Sequence, residues 1–348
     1  MAHPDYGPFE KLLHRLALGP SFLRQATFDV QDMALRKEAS REIVAPVFIA
    51  GLARSGSTIL LNTLHETGEF RSLTYRDMPF VLMPGVWSGM SRASRRQGQA
   101  QERAHGDRLM VEYDSPEAFE EVFWRTFAGV DYVQSNAVIA HAPSAEARRN
   151  FPKFIRHVLA SDPAPVARRY LSKNNNNLLR LPTLRSIFPN AHILIPFRSP
   201  LQHALSLFRQ HKKFCQIHNE DRFSMQYMDW LGHWEFGLQH KQYRFSDERG
   251  VWRPDDVNYW LHTWLDAHQY AIERVTEQPL YLCYETICES EGAILNALFA
   301  RLGVTVEVNV NGKRYQAAEQ REHSAVDPEL LARCESVYAE LQAIQFRA

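Results

Sequence analysis

Residues 45–58 read Ala45-Pro-Val-Phe-Ile-Ala-Gly51-Leu-Ala-Arg54-Ser55-Gly56-Ser57-Thr58, and this stretch decides the fold. The apolar run 45–50 ends in glycine and reads as a short buried strand. A loop of small residues follows. Thr58–Thr67 then reads as a helix stopped by Gly68. Strand, glycine loop and helix in that order open an α/β nucleotide fold. The loop nearly fits the phosphate-binding pattern GxxxxGK[ST]. Its glycines and hydroxyls are in place, but position 57 is serine where the pattern has lysine, and the cation sits at Arg54. Backbone amides and the helix N-terminus of such a loop cradle an anion, to which Arg54 adds a forked cation. Ser55, Gly56, Ser57 and Thr58 are its candidate contacts. A plain strand-to-helix turn would use the same residues.

Outward from this loop, Ala191–Phe197 reads as a second strand. Arg198 follows at its C-terminal end, where ligands bind in open α/β sheets. Ser199 and Pro200 then cap and start a helix over 200–212. Its apolar positions Leu201, Ala204, Leu205 and Phe208 keep the i, i+3, i+4, i+7 spacing. A cation at a helix start opposes the helix dipole, so Arg198 points to an anion between them. Ser206, two turns into the helix, offers a hydroxyl to the same anion. A third strand is read at Leu280–Tyr284, after an amphipathic helix over Tyr259–Arg274. Strands alternating with helices predict a parallel sheet covered on both faces. Residues 1–44 read as short helices, and Asp114-Ser-Pro-Glu117 reads as the capped start of a largely helical stretch to 160. The polar segment Ser91–Arg108 reads as a solvated loop or exposed helix.

Composition narrows the function. The chain has 348 residues, 45% hydrophobic and 23% charged, as in an ordinary folded protein. Lys+Arg and Asp+Glu both number 40, and this balance argues against nucleic acid as a partner. Cys215, Cys283, Cys288 and Cys334 show no CxxC spacing, which fits a reducing compartment. The N-terminal residues lack the apolar run of a secretory signal, and no 18-residue apolar stretch occurs. A cytoplasmic location is therefore expected. The spacing of His203, His211 and His218 is too wide for one ion, so no metal is expected.

The motifs together resemble the PAPS-dependent sulfotransferases, in the version found in carbohydrate and tyrosyl-protein sulfotransferases. PAPS is 3′-phosphoadenosine 5′-phosphosulfate. Gly51–Thr58 is similar to the family's 5′-phosphosulfate loop, and Arg198 with Ser206 resembles its 3′-phosphate motif. Tyr170-Leu-Ser-Lys173 before Phe188-Pro-Asn-Ala191 resembles its lysine segment, although Lys173 is followed by four asparagines rather than a proline. Cys283-Tyr284-Glu285 is similar to its third strand end. Lys313 and Arg314 loosely resemble the basic loop that completes its cofactor site. The resemblance implies a three-layer α/β fold with a parallel sheet. The division expected is an N-terminal helical segment over 1–44, an α/β domain over 45–305 with helical insertions at about 85–165 and 208–275, and a C-terminal loop and helix over 306–348.

The resemblance also implies PAPS as donor and a hydroxyl or amine of a carbohydrate, lipid or other small molecule as acceptor. The sequence itself leaves sugar, lipid, phenol and peptide tyrosine open, and it gives no oligomeric state. Arg54 and Lys173 suit the charge that develops during sulfuryl transfer. Asp77, after a strand expected over Phe70–Tyr75, is the first choice for the general base, with Arg76 as its ion-pair partner. Asp77 is also a candidate turn cap. His65 is the second choice, while Glu120 and Glu121 read as solvated helix acids. The aromatic-rich stretch 208–264 reads either as an acceptor wall or as a helical core, and His211 is a candidate to face the site. Two other readings keep the same loop: a P-loop kinase-like phosphotransferase, which wants a lysine at position 57, and a non-catalytic nucleotide-binding module.

Overall fold

The computed structural model describes residues 6–35, 42–91, 101–102, 110–111, 116–162, 168–246, 251–274, 279–305, 315 and 325–348. In chain order the strands are β1 (Val47–Ile49), β2 (Phe70–Arg71), β3 (Gln101–Glu102), β4 (Met110–Val111), β5 (Ala137–Ile139), β6 (Arg169–Lys173), β7 (His192–Phe197), β8 (Gln242–Arg244) and β9 (Leu280–Cys283). The helices are α1 (Pro8–Leu18), α2 (Ser21–Ala34), α3 (Ser57–His65), α4 (Pro84–Ser91), α5 (Glu121–Phe127), α6 (Ala145–Ala160), α7 (Leu181–Ile187), α8 (Pro200–Glu220), α9 (Arg222–Leu231), α10 (Val257–Arg274), α11 (Tyr284–Glu289), α12 (Ala293–Leu302) and α13 (Pro328–Ile344).

Five strands form a parallel sheet in the order β2-β6-β1-β7-β9. The register sets Ile49 of β1 beside Lys173 of β6 and Leu194 of β7, so the last residue of β1 is flanked by both neighbours. Strand alternation divides the core. Val47, Ile49, Leu171, Leu194 and Leu282 pack on one face with Leu60, Leu61 and Leu64 of α3 and with α12. Phe48, Tyr170, Ile193, Ile195 and Phe197 pack on the other with residues of α5, α6, α8 and α10. These are the three layers of the α/β architecture. A smaller parallel pair, β5 with β8, and an antiparallel pair, β3 with β4, lie outside this sheet.

Several sequence expectations shift here. The helix after β7 runs on past the expected end at 212 to Glu220. The stretch 117–160 is not one helical run but α5, β5 and α6. The cap read at Asp114 lies outside the described residues, and the helix begins at Glu121. The strand expected over Phe70–Tyr75 is two residues long and passes into a 3-10 turn over Tyr75–Asp77. Nearly all of the polar segment 91–108 lies outside the described residues.

Candidate active site

The loop between β1 and α3 is built on two glycines. A Cβ on Gly51 would lie 3.0 Å from the Pro196 carbonyl oxygen on β7, so the close passage of the two backbones requires glycine. Gly56 has φ +92, and a Cβ there would lie 2.6 Å from the Tyr284 ring. Between them Arg54 takes φ +68, a left-handed backbone that disfavours side-chain-bearing residues. Strain of this kind collects at functional sites. The Ser55 side chain is fully buried in the loop, and its Oγ has no hydrogen-bond partner among the described residues. α3 starts at Ser57, so its first amides face the loop.

Three distant parts of the chain close on this loop. Arg54 Nε donates to Ser206 Oγ on α8 at 3.4 Å. Arg198 Nη1 donates to the Arg54 carbonyl at 3.1 Å, and its guanidinium lies 4.7 Å from the Tyr284 ring centroid. His203 Nε2 donates to the Ala53 carbonyl at 2.8 Å. Burial, and then the neighbouring Arg198, hold this imidazole well below the usual histidine pKa, so it is a neutral strut. Glu285 accepts from the Ser199 amide at 3.1 Å and lies 4.0 Å from Arg198 Nε. Lys173 ends β6, and the next amide, Asn174, donates to the Ile49 carbonyl at 3.1 Å. Arg54, Ser55, Gly56, Ser57, Arg198, Ser206, Tyr284 and Lys173 thus gather at the C-terminal ends of adjacent strands. Lys313 and Arg314 lie outside the described residues.

The expected general bases sit differently. Asp77 is buried and fully engaged: Arg71 Nη2 donates to Oδ1 at 2.6 Å, and the Thr74 amide donates to Oδ2 at 2.8 Å. It caps its own turn, and its ion-pair partner is Arg71 rather than Arg76. Each carboxylate oxygen thus already accepts a hydrogen bond, and the pairing expected with Arg76 is replaced by the one with Arg71. His65 ends α3, about 12 Å along the helix from the loop at 1.5 Å per residue. Glu120 and Glu121 are buried rather than solvated. Glu121 forms a two-pronged pair with Arg180, both bonds at 2.8 Å, which holds its carboxyl below the usual range against the opposing effect of burial. Glu120 accepts from Tyr170 at 2.9 Å, Asn177 at 2.9 Å and Trp124 at 3.1 Å.

The four asparagines after Lys173 open a 3-10 turn over Asn175–Arg180. Asn174 donates to Glu121 at 2.8 Å, Asn175 to Glu235 at 2.6 Å, Asn176 to the Gly232 carbonyl at 3.0 Å, and Asn177 to Glu120. Sequence reading missed Glu235 and His203. For His203 a signal existed: it precedes Ser206 by three residues and so shares its helix face. For Glu235 there was none, because its partner lies 60 residues away. The aromatic stretch is chiefly core, since Phe214, Trp234, Phe236, Trp260 and Trp264 are buried. Phe208 and Trp252, with Arg253, Asp255 and Asp256, instead border a cleft of about 450 Å³. His211 lies within that aromatic core, against Trp260 and His240, and burial lowers its pKa to about 4.

A parallel sheet whose strand ends carry a hydroxyl-and-glycine loop flanked by arginines is, within α/β architectures, an arrangement suited to an anion. A sequence model of the sulfotransferase family matches residues 46–307, and the chain belongs to that family. No curated protein matches the sequence significantly. Among solved structures, sulfotransferase STF9 from Mycobacterium avium is similar at 13% identity and a TM-score of 0.56, covering 99% of this chain and 88% of that one. Sulfotransferase STF1 from Mycobacterium tuberculosis H37Rv gives 11% identity and a TM-score of 0.49, covering 92% of this chain and 83% of that one. At 13% identity the likeness to STF9 is one of fold. Among the described residues no helix is long and apolar enough to cross a membrane.

Proposed function

We propose that the chain moves a sulfuryl group from PAPS to a hydroxyl or amine of a small-molecule acceptor, a carbohydrate or lipid among the candidates. The observation that carries this reading is the convergence of Arg54, Arg198 and Ser206 on a loop whose Ser55 hydroxyl is buried without a partner among the described residues. A buried unpaired hydroxyl calls for a ligand, and two arginines at helix starts call for an anion. The chain's polar groups therefore fit a nucleotide with two phosphate positions.

In this reading the amides of 55–58 and Arg54 hold the 5′-phosphosulfate. Arg198 and Ser206 hold the 3′-phosphate, with Lys313 and Arg314 as further contacts. The Tyr284 ring packs against both Gly56 and Arg198. Bound PAPS would supply an activated sulfuryl group on a good leaving oxygen. Arg54 and Lys173 take up charge where it develops. Serine at position 57 leaves the loop without the lysine that a nucleoside-triphosphate kinase uses.

Calorimetry tests this. PAP, the desulfated nucleotide, should bind without metal and more tightly than ATP with Mg²⁺. Arg198→Ala should weaken PAP by roughly 10–100-fold, the range of a hydrogen bond to a charged group, and weaken adenosine 5′-phosphosulfate much less. Tighter binding of ATP–Mg²⁺ would favour the phosphotransferase reading. Equal losses for both nucleotides would remove Arg198 from the 3′-phosphate site.

A further inference from the structure

With Asp77 engaged, the proton of the acceptor needs another destination. Glu235 lies in the loop after α9, is nine-tenths buried, and its Oε1 accepts from Asn175 Nδ2 at 2.6 Å. Asn175 is two residues beyond Lys173, at the end of β6, and β6 is bonded there to the last residue of β1. A carboxylate only accepts, so the Asn175 amide must turn its NH₂ to Glu235 and its oxygen away. That oxygen, Asn175 Oδ1, is buried and has no hydrogen-bond partner among the described residues. The second carboxylate oxygen of Glu235 also makes no hydrogen bond among the described residues.

Other carboxylates bordering these strand ends are engaged through both oxygens. Asp77 is held by Arg71 and Thr74, and Glu117 by the Ala118 amide and Tyr75. Glu120 is held by Trp124, Asn177 and Tyr170, Glu121 by Arg180, Tyr132 and Asn174. Glu285 accepts from the Ser199 amide on one oxygen and Tyr338 on the other. The other side chains of the asparagine run are likewise paired. One acceptor atom on Asn175 and one on Glu235 stand over, and both ask for a donor.

We propose that Glu235 and Asn175 receive the acceptor's hydroxyl and that Glu235 takes its proton. This rests on the sulfuryl-transfer reading above. The acceptor oxygen forms the new O–S bond. The old S–O bond to the phosphate breaks, with its electron pair left on the phosphate oxygen. The hydroxyl proton ends on the second oxygen of Glu235. Asn175 is a positioning residue: its amide fixes the carboxylate, and its Oδ1 takes a second donor of the acceptor. A vicinal diol or an amine satisfies both atoms, so acceptors with two neighbouring donor hydrogens are favoured over simple phenols.

The test uses Glu235→Gln, which keeps an oxygen for Asn175, and Asn175→Ala. PAP affinity by calorimetry should stay within about twofold of wild type in Glu235→Gln. Turnover of PAPS, with 2-naphthol, a simple vicinal diol and a disaccharide as probe acceptors, should fall by roughly 10²–10⁴-fold, the range for a lost general base. Asn175→Ala should lower turnover less and raise KM for the diol and disaccharide more than for 2-naphthol. Infrared difference spectra between wild type and Glu235→Gln, both with PAP bound, supply a readout independent of any acceptor. They should show one ionised carboxylate lost at neutral pH. A protonated carboxylic acid at Glu235, or unchanged turnover in Glu235→Gln, overturns the assignment. Failure of wild type to bind PAP overturns the sulfotransferase reading itself, which the calorimetry reports separately.

Discussion

Arg54 carries a cation and a strained backbone at one position. At φ +68 a residue with a Cβ is disfavoured by about 1–2 kcal/mol, a penalty glycine does not have. The loop keeps arginine there although its neighbour Gly56 shows how glycine solves the same problem. Arg54→Gly should therefore leave stability unchanged or raise it by up to about 1 kcal/mol in urea unfolding, since relief of strain is partly offset by the freer unfolded chain. PAP affinity should fall roughly 10–100-fold in the same variant. A loss of stability beyond about 2 kcal/mol would make Arg54 a structural residue. Gly56→Ala should do the opposite: its Cβ meets Tyr284 at 2.6 Å, so stability should drop by about 1–3 kcal/mol as the ring supporting Arg198 is pushed aside. Thermal unfolding of the two variants side by side separates strain kept for function from space that only glycine fits. Residues on the loop were legible in the sequence because glycine, serine and arginine act there through the local backbone. Asp77 was legible as a turn cap but not as the partner of Arg71, since cap and base share the same residue type.

At the level of elements, a buried polar layer ties the end of β6 to α5. Arg180 is fully buried, bonded twice to Glu121, with its guanidinium carbon 4.7 Å from the Trp124 ring centroid. Removing one partner of such a pair leaves an unpaired buried charge and costs about 3–5 kcal/mol, whereas replacing both with apolar residues costs far less. Arg180→Ala should lower stability by that amount, and Arg180→Met with Glu121→Leu should recover much of it. A double-mutant cycle by denaturant unfolding checks the coupling, and near-additive losses would show the pair to be independent. The same layer positions Asn175, so PAPS turnover in Arg180→Ala should fall even under conditions where the protein stays folded. None of this was readable from the chain. Two adjacent glutamates beside an apolar run look like a solvated helix face, and Arg180 lies 59 residues away with no local periodicity to join them. The strand-loop-helix at 45–67 and the strand-helix at 191–212 were readable, because their period, caps and glycines are local. The parallel sheet followed from alternation, but its order β2-β6-β1-β7-β9 did not, since strand order is set by long-range packing.

Over the whole molecule, burial has made a set of neutral histidines into an acid sensor of stability. Burial lowers the pKa of His141, His157, His192, His211 and His268 to about 4 and that of His240 to about 3. Nearby arginines, Arg180 for His141 and Arg169 for His192, add to the effect. In the unfolded chain each returns to about 6.5. Between those values the unfolded state holds more protons than the folded one, so stability rises with pH across the window and falls on acidification through it. The contribution of these groups is fully present above about pH 6.5 and is lost progressively toward pH 4. Each imidazole adds up to about 1.4 kcal/mol per pH unit to the slope where its unfolded form is charged and its folded form is not. Carboxylates such as Glu121, held low by Arg180, lose their contribution only at lower pH, so the first acid transition belongs to the histidines. Calorimetric unfolding from pH 7.5 to 5 should show the midpoint falling steadily below about pH 6.5, with uptake of several protons on unfolding at pH 5.5. His240→Gln, which keeps a donor and acceptor but cannot charge, should flatten the slope by up to one proton. A midpoint independent of pH between 6.5 and 5, or proton release on unfolding there, would contradict the buried neutral state of these residues.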